Sequence, residues 1–191
     1  QILGSIKATG QVYILNQNGI IFGGSSQVNV HALAASSLPI NDNLLAAGLM
    51  SNDDKQFLFS SIDIPKLDGG TMEAFTAPQA PNTPGGKPGE VLVQAGALIE
   101  CPATGGHVGG RVMLAGPTVT NAGTISTPDG QTILAAGQQV GFSESTDPTK
   151  RGLNVYVGAG DGIATNTGWI KSERGNITMA AKTVNQHGYL Y

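Results

Sequence analysis

Short apolar runs separated by polar turns organise the first forty residues. The runs cover residues 12–15, 20–22 and 28–30, and the sequences Asn-Gln-Asn-Gly and Gly-Gly-Ser-Ser separate them. β-Branched and aromatic residues favour strands, whereas Asn and Gly adopt the left-handed backbone conformations of tight turns at low cost. The pattern therefore predicts three short strands joined by tight turns, with about twenty residues in each coil of a solenoid.

The same pattern returns in the second half of the chain. Residues 112–125 align with residues 177–190 at a constant spacing of 65 residues, which we interpret as about three coils. Apolar runs near residues 91–93, 132–134 and 155–157 predict intermediate coils that start every 20 to 23 residues. The repeated Asn-x-Gly-x-Ile unit and its relative near the end of the chain predict turn and ladder positions at Asn121, Gly123, Asn166, Gly168, Asn185 and Gly188.

Stacking of coils explains why the pattern repeats. A strand in one coil satisfies its backbone groups by pairing with the equivalent strands above and below, about 4.8 Å away. Equivalent positions must then be compatible, with apolar residues inside and Asn or Thr in hydrogen-bonded ladders at the turns. We therefore predict an all-β fold, a right-handed parallel β-helix (β-solenoid) with coils of about 20–23 residues and an extra-helical insertion. A β-sandwich is the alternative, and it would need longer alternating strands and hairpin dipeptides.

Residues 39–90 interrupt the repeat. Residues 44–50 favour a short helical turn, residues 57–64 alternate like a strand, and residues 76–89 form a Pro/Gly-rich stretch that cannot sustain a ladder. We divide the chain into a β-helix at 1–50, an insertion at 51–90 and continuing β-helix repeats at 91–191. A second polar segment, residues 143–151, is expected to loop outward between strands.

Composition narrows the functional classes. The chain has 28 Gly, 5% aromatic and 12% charged residues, which suits a repetitive stack with a narrow interior better than an ordinary globular enzyme. Its net charge of −3, without a basic stripe, argues against a nucleic-acid partner. No apolar run approaches the length of a membrane span, and the first residues lack the pattern of a signal peptide. We expect a processed or excised piece whose export signal and first coils lie upstream.

Candidate catalytic and metal-binding residues all have simpler explanations. The pair Asp53 and Asp54 invites comparison with β-helix enzymes that cut polysaccharides, but its Ser-Asn-Asp-Asp-Lys context is typical of a turn. The three histidines, His31, His107 and His187, lack the spacing of metal ligands. Cys101 is the single cysteine, so it forms no intrachain disulfide, and we expect it to be buried.

Two glycine-rich segments imitate nucleotide-binding loops. Residues 155–162 resemble the start of a dinucleotide fingerprint, but Ile163 occupies the position of its third glycine and no helical pattern follows. Residues 105–110 lack the Lys-Ser/Thr of a phosphate loop. Both are interpreted as turns, and we predict no cofactor, no metal and no enzymatic activity.

The first turn also carries a family resemblance. Asn16, Gln17, Asn18, Gly19 and Ile20, with Gly-Gln-Val-Tyr before them and Gln-Val-Asn-Val after them, resemble the haemagglutination-activity, or two-partner-secretion, domain of filamentous haemagglutinin-type exoproteins. The family signature is Asn-Pro-Asn-Gly-Ile or a close variant, and this chain has Gln17 where Pro is usual. Loss of Pro frees one backbone angle and restores an N–H, which a turn tolerates. We call these five residues the motif turn.

The resemblance implies a function. It implies part of a large adhesin or structural rod, exported by two-partner secretion and located outside a Gram-negative bacterium or on its surface. The motif turn would be recognised by the outer-membrane transporter, and the other partners would be a glycan or protein on a host or neighbouring cell and further rods joined end to end. Two alternatives stay open at this point: a β-helix polysaccharide lyase or hydrolase, and a self-assembling extracellular fibre.

Overall fold

The computed structural model describes residues 1–47, 56–65, 74–80, 82–106, 109–145 and 152–191. Strands dominate this part of the chain, and no helix in it is long and apolar enough to cross a membrane. The elements, in chain order, are β1 Ser5–Leu15, β2 Ile20–Phe22, β3 Gln27–Ser36, α1 Asp42–Ala47, β4 Phe59–Ser60, β5 Val91–Val93, β6 Leu98–Glu100, β7 Arg111–Gly116, β8 Thr118–Asn121, β9 Thr124–Ser126, β10 Gln131–Ala136, β11 Gln139–Glu144, β12 Leu153–Gly158, β13 Ile163–Asn166, β14 Trp169–Lys171, β15 Asn176–Ala181, β16 Thr183–Gln186 and β17 Tyr189–Leu190.

The strands stack in three parallel columns, one on each face of a triangular coil. One column runs β1-β3-β7-β10-β15 and the second runs β2-β5-β8-β13-β16. The third runs β1-β3-β6-β9-β14-β17, because the long strands β1 and β3 each contribute their first half to this column and their second half to the first. Because each strand pairs in parallel with strands one coil away, the fold is a parallel β-helix. This confirms the predicted fold and the strands predicted at residues 12–15, 20–22 and 28–30.

The spacing of the coils corrects one prediction. Asn121 is in register with Asn166, 45 residues later, and Asn166 with Gln186, 20 residues later. The 65-residue spacing therefore spans two coils, and our interpretation as three is wrong. Residues 155–157 belong to β12, which pairs antiparallel with β11 outside the helix. A short apolar β run has the same pattern in a coil and in a hairpin, so the sequence alone did not separate them.

The interior of the helix is a narrow apolar core. Inward residues of all three columns stack on one another, among them Phe22, Val93, Leu114, Ile125 and Ile170, each fully buried. Side chains alternate between the two faces of a strand, so each short strand supplies only one or two inward residues. Many coils must therefore stack before the core is substantial, which is the energetic basis of a solenoid.

A second core lies on the outside of the first column. Strands β4, β11 and β12 form a three-stranded antiparallel sheet whose Phe59 and Phe142 meet edge to face at 6.2 Å between ring centroids. Side chains of this sheet pack against outward-facing residues of the first column, including Met113 and Ile133. Strand β10 is consequently buried on both faces, although it lies at the surface of the β-helix proper.

The chain between β3 and β5 leaves the helix and supplies part of this second core. Leu44 of α1 and Leu58 are buried there. Helix α1 begins earlier than the helical turn predicted at residues 44–50, and residues 48–50 lie outside the described part. The strand predicted at 57–64 is shorter, limited to β4, with an isolated antiparallel bridge from Ile64 to Phe75. No ladder strand lies among the described residues of the Pro/Gly-rich segment, as expected.

Candidate functional site

The motif turn is closed by its own residues. The backbone N–H of Gly19 donates to the carbonyl oxygen of Asn16 at 3.0 Å, and the N–H of Asn18 donates to the Asn16 side-chain Oδ1 at 3.0 Å. Gly19 has φ of +103°, a conformation that residues with a Cβ adopt at a cost. The Asn and Gly of the sequence therefore make a compact turn from local contacts alone.

The next coil covers one side of this turn. The N–H of Gly89 donates to the carbonyl oxygen of Gln17 at 2.8 Å, and the N–H of Ile20 donates to the carbonyl oxygen of Glu90 at 2.9 Å. A Cβ on Gly19 would lie 2.9 Å from the same Glu90 oxygen, so glycine is also required by the close approach of the two coils. The Ile20 side chain is 3% exposed and belongs to the interior core.

The other side of the turn faces solvent. The side chains of Asn16 and Asn18 are exposed, whereas Gln17 is half-buried. The Gln17 Oε1 atom is buried and accepts no hydrogen bond from the described residues. The turn thus offers two exposed amides and one unsatisfied acceptor next to an apolar anchor.

The predicted ladder positions lie in the second column and the corner that follows it. Asn121 Nδ2 donates to Asn166 Oδ1 at 2.8 Å, and Asn166 Nδ2 donates to Gln186 Oε1 at 3.0 Å. Asn121 and Asn166 are fully buried. Asn185 lies one position before this row, and its Nδ2 donates to Thr165 Oγ1 at 3.3 Å. Gln186 was not singled out in the sequence, although it falls opposite Asn121 in the 65-residue alignment.

The three glycines of the repeat form a second row. A Cβ on Gly168 would lie against the carbonyl oxygen of Gly123, and a Cβ on Gly188 against that of Gly168. A Cβ on Gly123 would lie 2.6 Å from the carbonyl oxygen of Ala97. The backbones of successive coils therefore approach so closely at this corner that only glycine fits.

Those of the remaining candidates that the structure describes do not come together. Cys101 is fully buried in the interior core, its Sγ lies 3.6 Å from the Arg111 carbonyl oxygen, and burial raises its pKa to about 12. His31 lies in β3 and His187 after β16, while Asp53, Asp54 and His107 lie outside the described residues. Within the described ranges no three His, Cys, Asp or Glu side chains are grouped to hold a metal ion.

Sequence reasoning also missed a charged contact between two turns. The Arg174 guanidinium donates to both carboxylate oxygens of Asp129 at 2.9 Å, and the Asp129 side chain is only 4% exposed. Both residues have positive φ, 56° at Asp129 and 55° at Arg174. The two turns have the same backbone shape and lie one coil apart. Their sequences, Pro-Asp-Gly and Glu-Arg-Gly, both place a charged residue before Gly, and this recurrence is the sequence signal that would have found the pair.

Comparison with known families identifies the domain. The family described as "TPS secretion domain" matches residues 1–189, which is nearly the whole chain. The chain belongs to this family. No curated protein matches the sequence significantly.

Membership in this family assigns the domain to the two-partner-secretion pathway. It is part of an exoprotein that is exported through the outer membrane of a Gram-negative bacterium, and its partner in export is the outer-membrane transporter. The family match covers the β-helix, the extra sheet and the segment between β3 and β5 together. The resemblance seen at the motif turn is thereby confirmed over the length of the chain.

Proposed function

We propose that the transporter recognises the motif turn while the chain is still unfolded. The observation that carries this proposal is the local closure of the turn, through the bonds from Asn18 and Gly19 to Asn16. Contacts between residues two or three positions apart need no closure of a long loop, so they form transiently in an unfolded chain. The exposed amides of Asn16 and Asn18 are then the groups that the transporter reads.

Folding outside the cell would follow recognition, and it would add contacts between the motif turn and the next coil. The bonds from Gly89 and to Glu90 require a segment that follows the motif turn by a long stretch of chain, so they form only after that segment has been exported. Each completed coil presents an edge on which the next coil pairs, and the gain in stability comes mainly from that neighbour. Export is thereby coupled to folding in one direction along the chain.

We further propose that the exported β-helix serves as a non-enzymatic adhesin or rod at the cell surface. The stacked coils have an apolar core inside and solvent-facing side chains outside, which suits a scaffold that displays binding residues. Asp129, whose side chain is only 4% exposed, is paired with the Arg174 guanidinium. The proposal rests on this arrangement together with the family membership.

Export of motif variants tests the recognition step. Asn16→Asp keeps an acceptor for the Asn18 N–H but loses the amide donor, and Asn18→Ala removes the second exposed amide. We expect the double variant to refold in vitro like the wild type and to lose binding to the periplasmic region of the transporter. Surface labelling of live cells should show that the exoprotein is no longer exported.

A variant of the covering segment separates recognition from folding. Gly89→Ala places a Cβ against the carbonyl oxygen of Asn18, so it should hinder coil closure and leave transporter binding unchanged. Gln11→Ala, on the exposed part of β1, is the control for both assays. Wild-type binding and export of the Asn16/Asn18 double variant would contradict the recognition proposal. Unchanged localisation of the wild type without its transporter would contradict the export route.

A further inference from the structure

Two clefts on the outside of the β-helix share Pro78 as a common wall. The first, of about 260 Å³, lies between the motif turn and residues 38–42. The second, of about 380 Å³, lies between residues 61–63, the Pro/Gly-rich segment and the corners at Pro117 and Gln138. Because Pro78 lines both, the two clefts adjoin, and we call them together the Pro78 groove. Its second half has the volume of a small-molecule site.

Hydrogen-bonding side chains line both halves of the groove. Asn16, Gln17 and Asp42 supply them in the first half. The second half has five polar side chains, namely Ser61, Asp63, Gln79, Lys87 and Gln138. Carboxylates accept hydrogen bonds, ammonium groups donate them, and amides and hydroxyls do both. Such a mixture matches a ligand whose own groups both donate and accept, as hydroxyl groups do.

Some of these groups have unused hydrogen-bonding capacity. The Gln17 Oε1 atom is buried without a partner among the described residues, and an unsatisfied buried acceptor is unfavourable. Asp63 Oδ1 accepts the N–H of Ala77 at 2.9 Å, and an ionised carboxylate has room for further donors. A ligand with hydroxyl donors can bond to the Asp63 carboxylate in one half of the groove, and to the Gln17 amide in the other once that side chain rotates toward the cleft that it lines.

Other ligand classes fit this lining less well. A phosphate or an acidic polysaccharide would meet Asp42 and Asp63 with only Lys87 to balance them among the described lining residues. An extended peptide usually adds to a strand edge. Here Leu15 is the only described lining residue in a named strand, and it is the last residue of β1. Because no aromatic ring occurs in the described lining, bases have no surface on which to stack.

We propose that the Pro78 groove binds a short neutral oligosaccharide. The ligand lies across Pro78, with its hydroxyl groups bonded to Gln17 in one half and to Asp63 in the other. The biological role of such binding rests on the proposed function, which exposes the folded domain to the glycans of neighbouring cells. Binding itself is a property of the folded TPS domain and requires no transporter.

Titration of the purified TPS domain, followed by amide proton–nitrogen NMR spectra, tests the proposal. The neutral probes are cellotetraose, maltotetraose and chitotetraose, and the competing classes are a heparin tetrasaccharide and an alternating Ala-Pro octapeptide. We expect saturable shifts of the amides of Gln17, Asp63 and Lys87 with at least one neutral probe. The acidic probe and the peptide should leave these amides unchanged.

Matched variants connect binding to the groove. Asp63→Asn keeps an acceptor for Ala77 but loses the charge, and it should weaken binding about tenfold. Gln17→Met removes the unsatisfied acceptor without a change in length, so it should weaken binding while the domain stays folded. Glu173→Gln, an exposed change outside the groove lining, is the charge-matched control and should bind like the wild type.

Several outcomes would overturn the proposal. These are the absence of saturable shifts with all three neutral probes, shifts confined to residues outside the groove, and equal affinity of the wild type and both groove variants. A preference for the heparin fragment or the peptide would assign the groove to that class instead. Loss of export in the Asn16/Asn18 double variant is measured separately, so failure of either proposal is recognised independently of the other.

Discussion

The side chain of Gln131 binds the backbone of Leu153 as a strand would. Gln131 Oε1 accepts the Leu153 N–H at 2.8 Å, and Gln131 Nε2 donates to the Leu153 carbonyl oxygen at 3.0 Å. Gln131 begins β10 in the helix, and Leu153 begins β12 in the extra sheet. One buried amide therefore fixes the loop end of the β11–β12 hairpin to the first residue of β10.

Loss of this amide should loosen the hairpin. In Gln131→Ala, the N–H and carbonyl of Leu153, a residue only 6% exposed, lose their side-chain partner, and we expect a loss of about 2–4 kcal/mol in the free energy of unfolding. Hydrogen exchange should accelerate in β12 more than in β8. Gln11 is in register with Gln131 through the intervening strands, but it is exposed. Gln11→Ala should therefore change the free energy of unfolding by no more than about 0.5 kcal/mol. Equal effects of the two variants would refute the role of Gln131.

The buried row of amides should contribute more to the free energy of unfolding than the adjacent contact between Asn185 and Thr165. Asn166→Ala removes the acceptor of Asn121 and the donor to Gln186, so we expect a loss of about 1–3 kcal/mol in urea denaturation. Asn185→Ala removes a single contact with Thr165 in the last coil and should cost about 0.5 kcal/mol or less. The reverse order would assign the structural ladder to the row that contains Asn185.

The glycine row should not accept a methyl group. Gly168→Ala places a Cβ against the carbonyl oxygen of Gly123, so neighbouring coils must move apart, at an expected cost of about 1–3 kcal/mol. Gly105→Ala is the matched control, since its Cβ would have no neighbour within 4 Å. We expect thermal unfolding of the control to be unchanged, and a Gly168→Ala protein as stable as the control would contradict the close approach of the coils.

The thiol of Cys101 should be unreactive while the protein is folded. We expect no modification by iodoacetamide at pH 8, and complete modification in guanidinium chloride, as measured by mass spectrometry. Labelling of the folded protein at the rate of the unfolded one would show that the thiol is accessible.

The same thiol should make stability depend on alkaline pH. Burial raises its folded-state pKa from 9.0 to about 12, so between these values the unfolded chain loses a proton that the folded chain keeps. Stability must then fall as pH rises in this window, by about 1 kcal/mol between pH 8 and pH 10. Cys101→Ala should lack this additional loss in urea titrations at the two pH values. Parallel pH profiles of the two proteins would contradict the prediction.

The sequence by itself determined the strands of the first coil and the family. Apolar runs at residues 12–15, 20–22 and 28–30 specify strands because their turns contain Asn and Gly, whose backbone preferences are local. The repeated Asn-x-Gly-x-Ile unit specified equivalent corners for the same reason. The motif turn carried the family resemblance because its five residues are contiguous in the chain and are recognised without knowledge of the fold.

Only the tertiary structure decided which runs stack on which. Residues 155–157 have the pattern of a coil strand, yet β12 forms an antiparallel hairpin because the outer face of β10 offers a second apolar surface at Ile133. Gln186 rather than Asn185 continues the row of Asn166, since backbone register selects the row and both side chains can make the bond. The Pro78 groove joins residues far apart in the chain, and contacts between distant segments leave no local pattern in a single sequence.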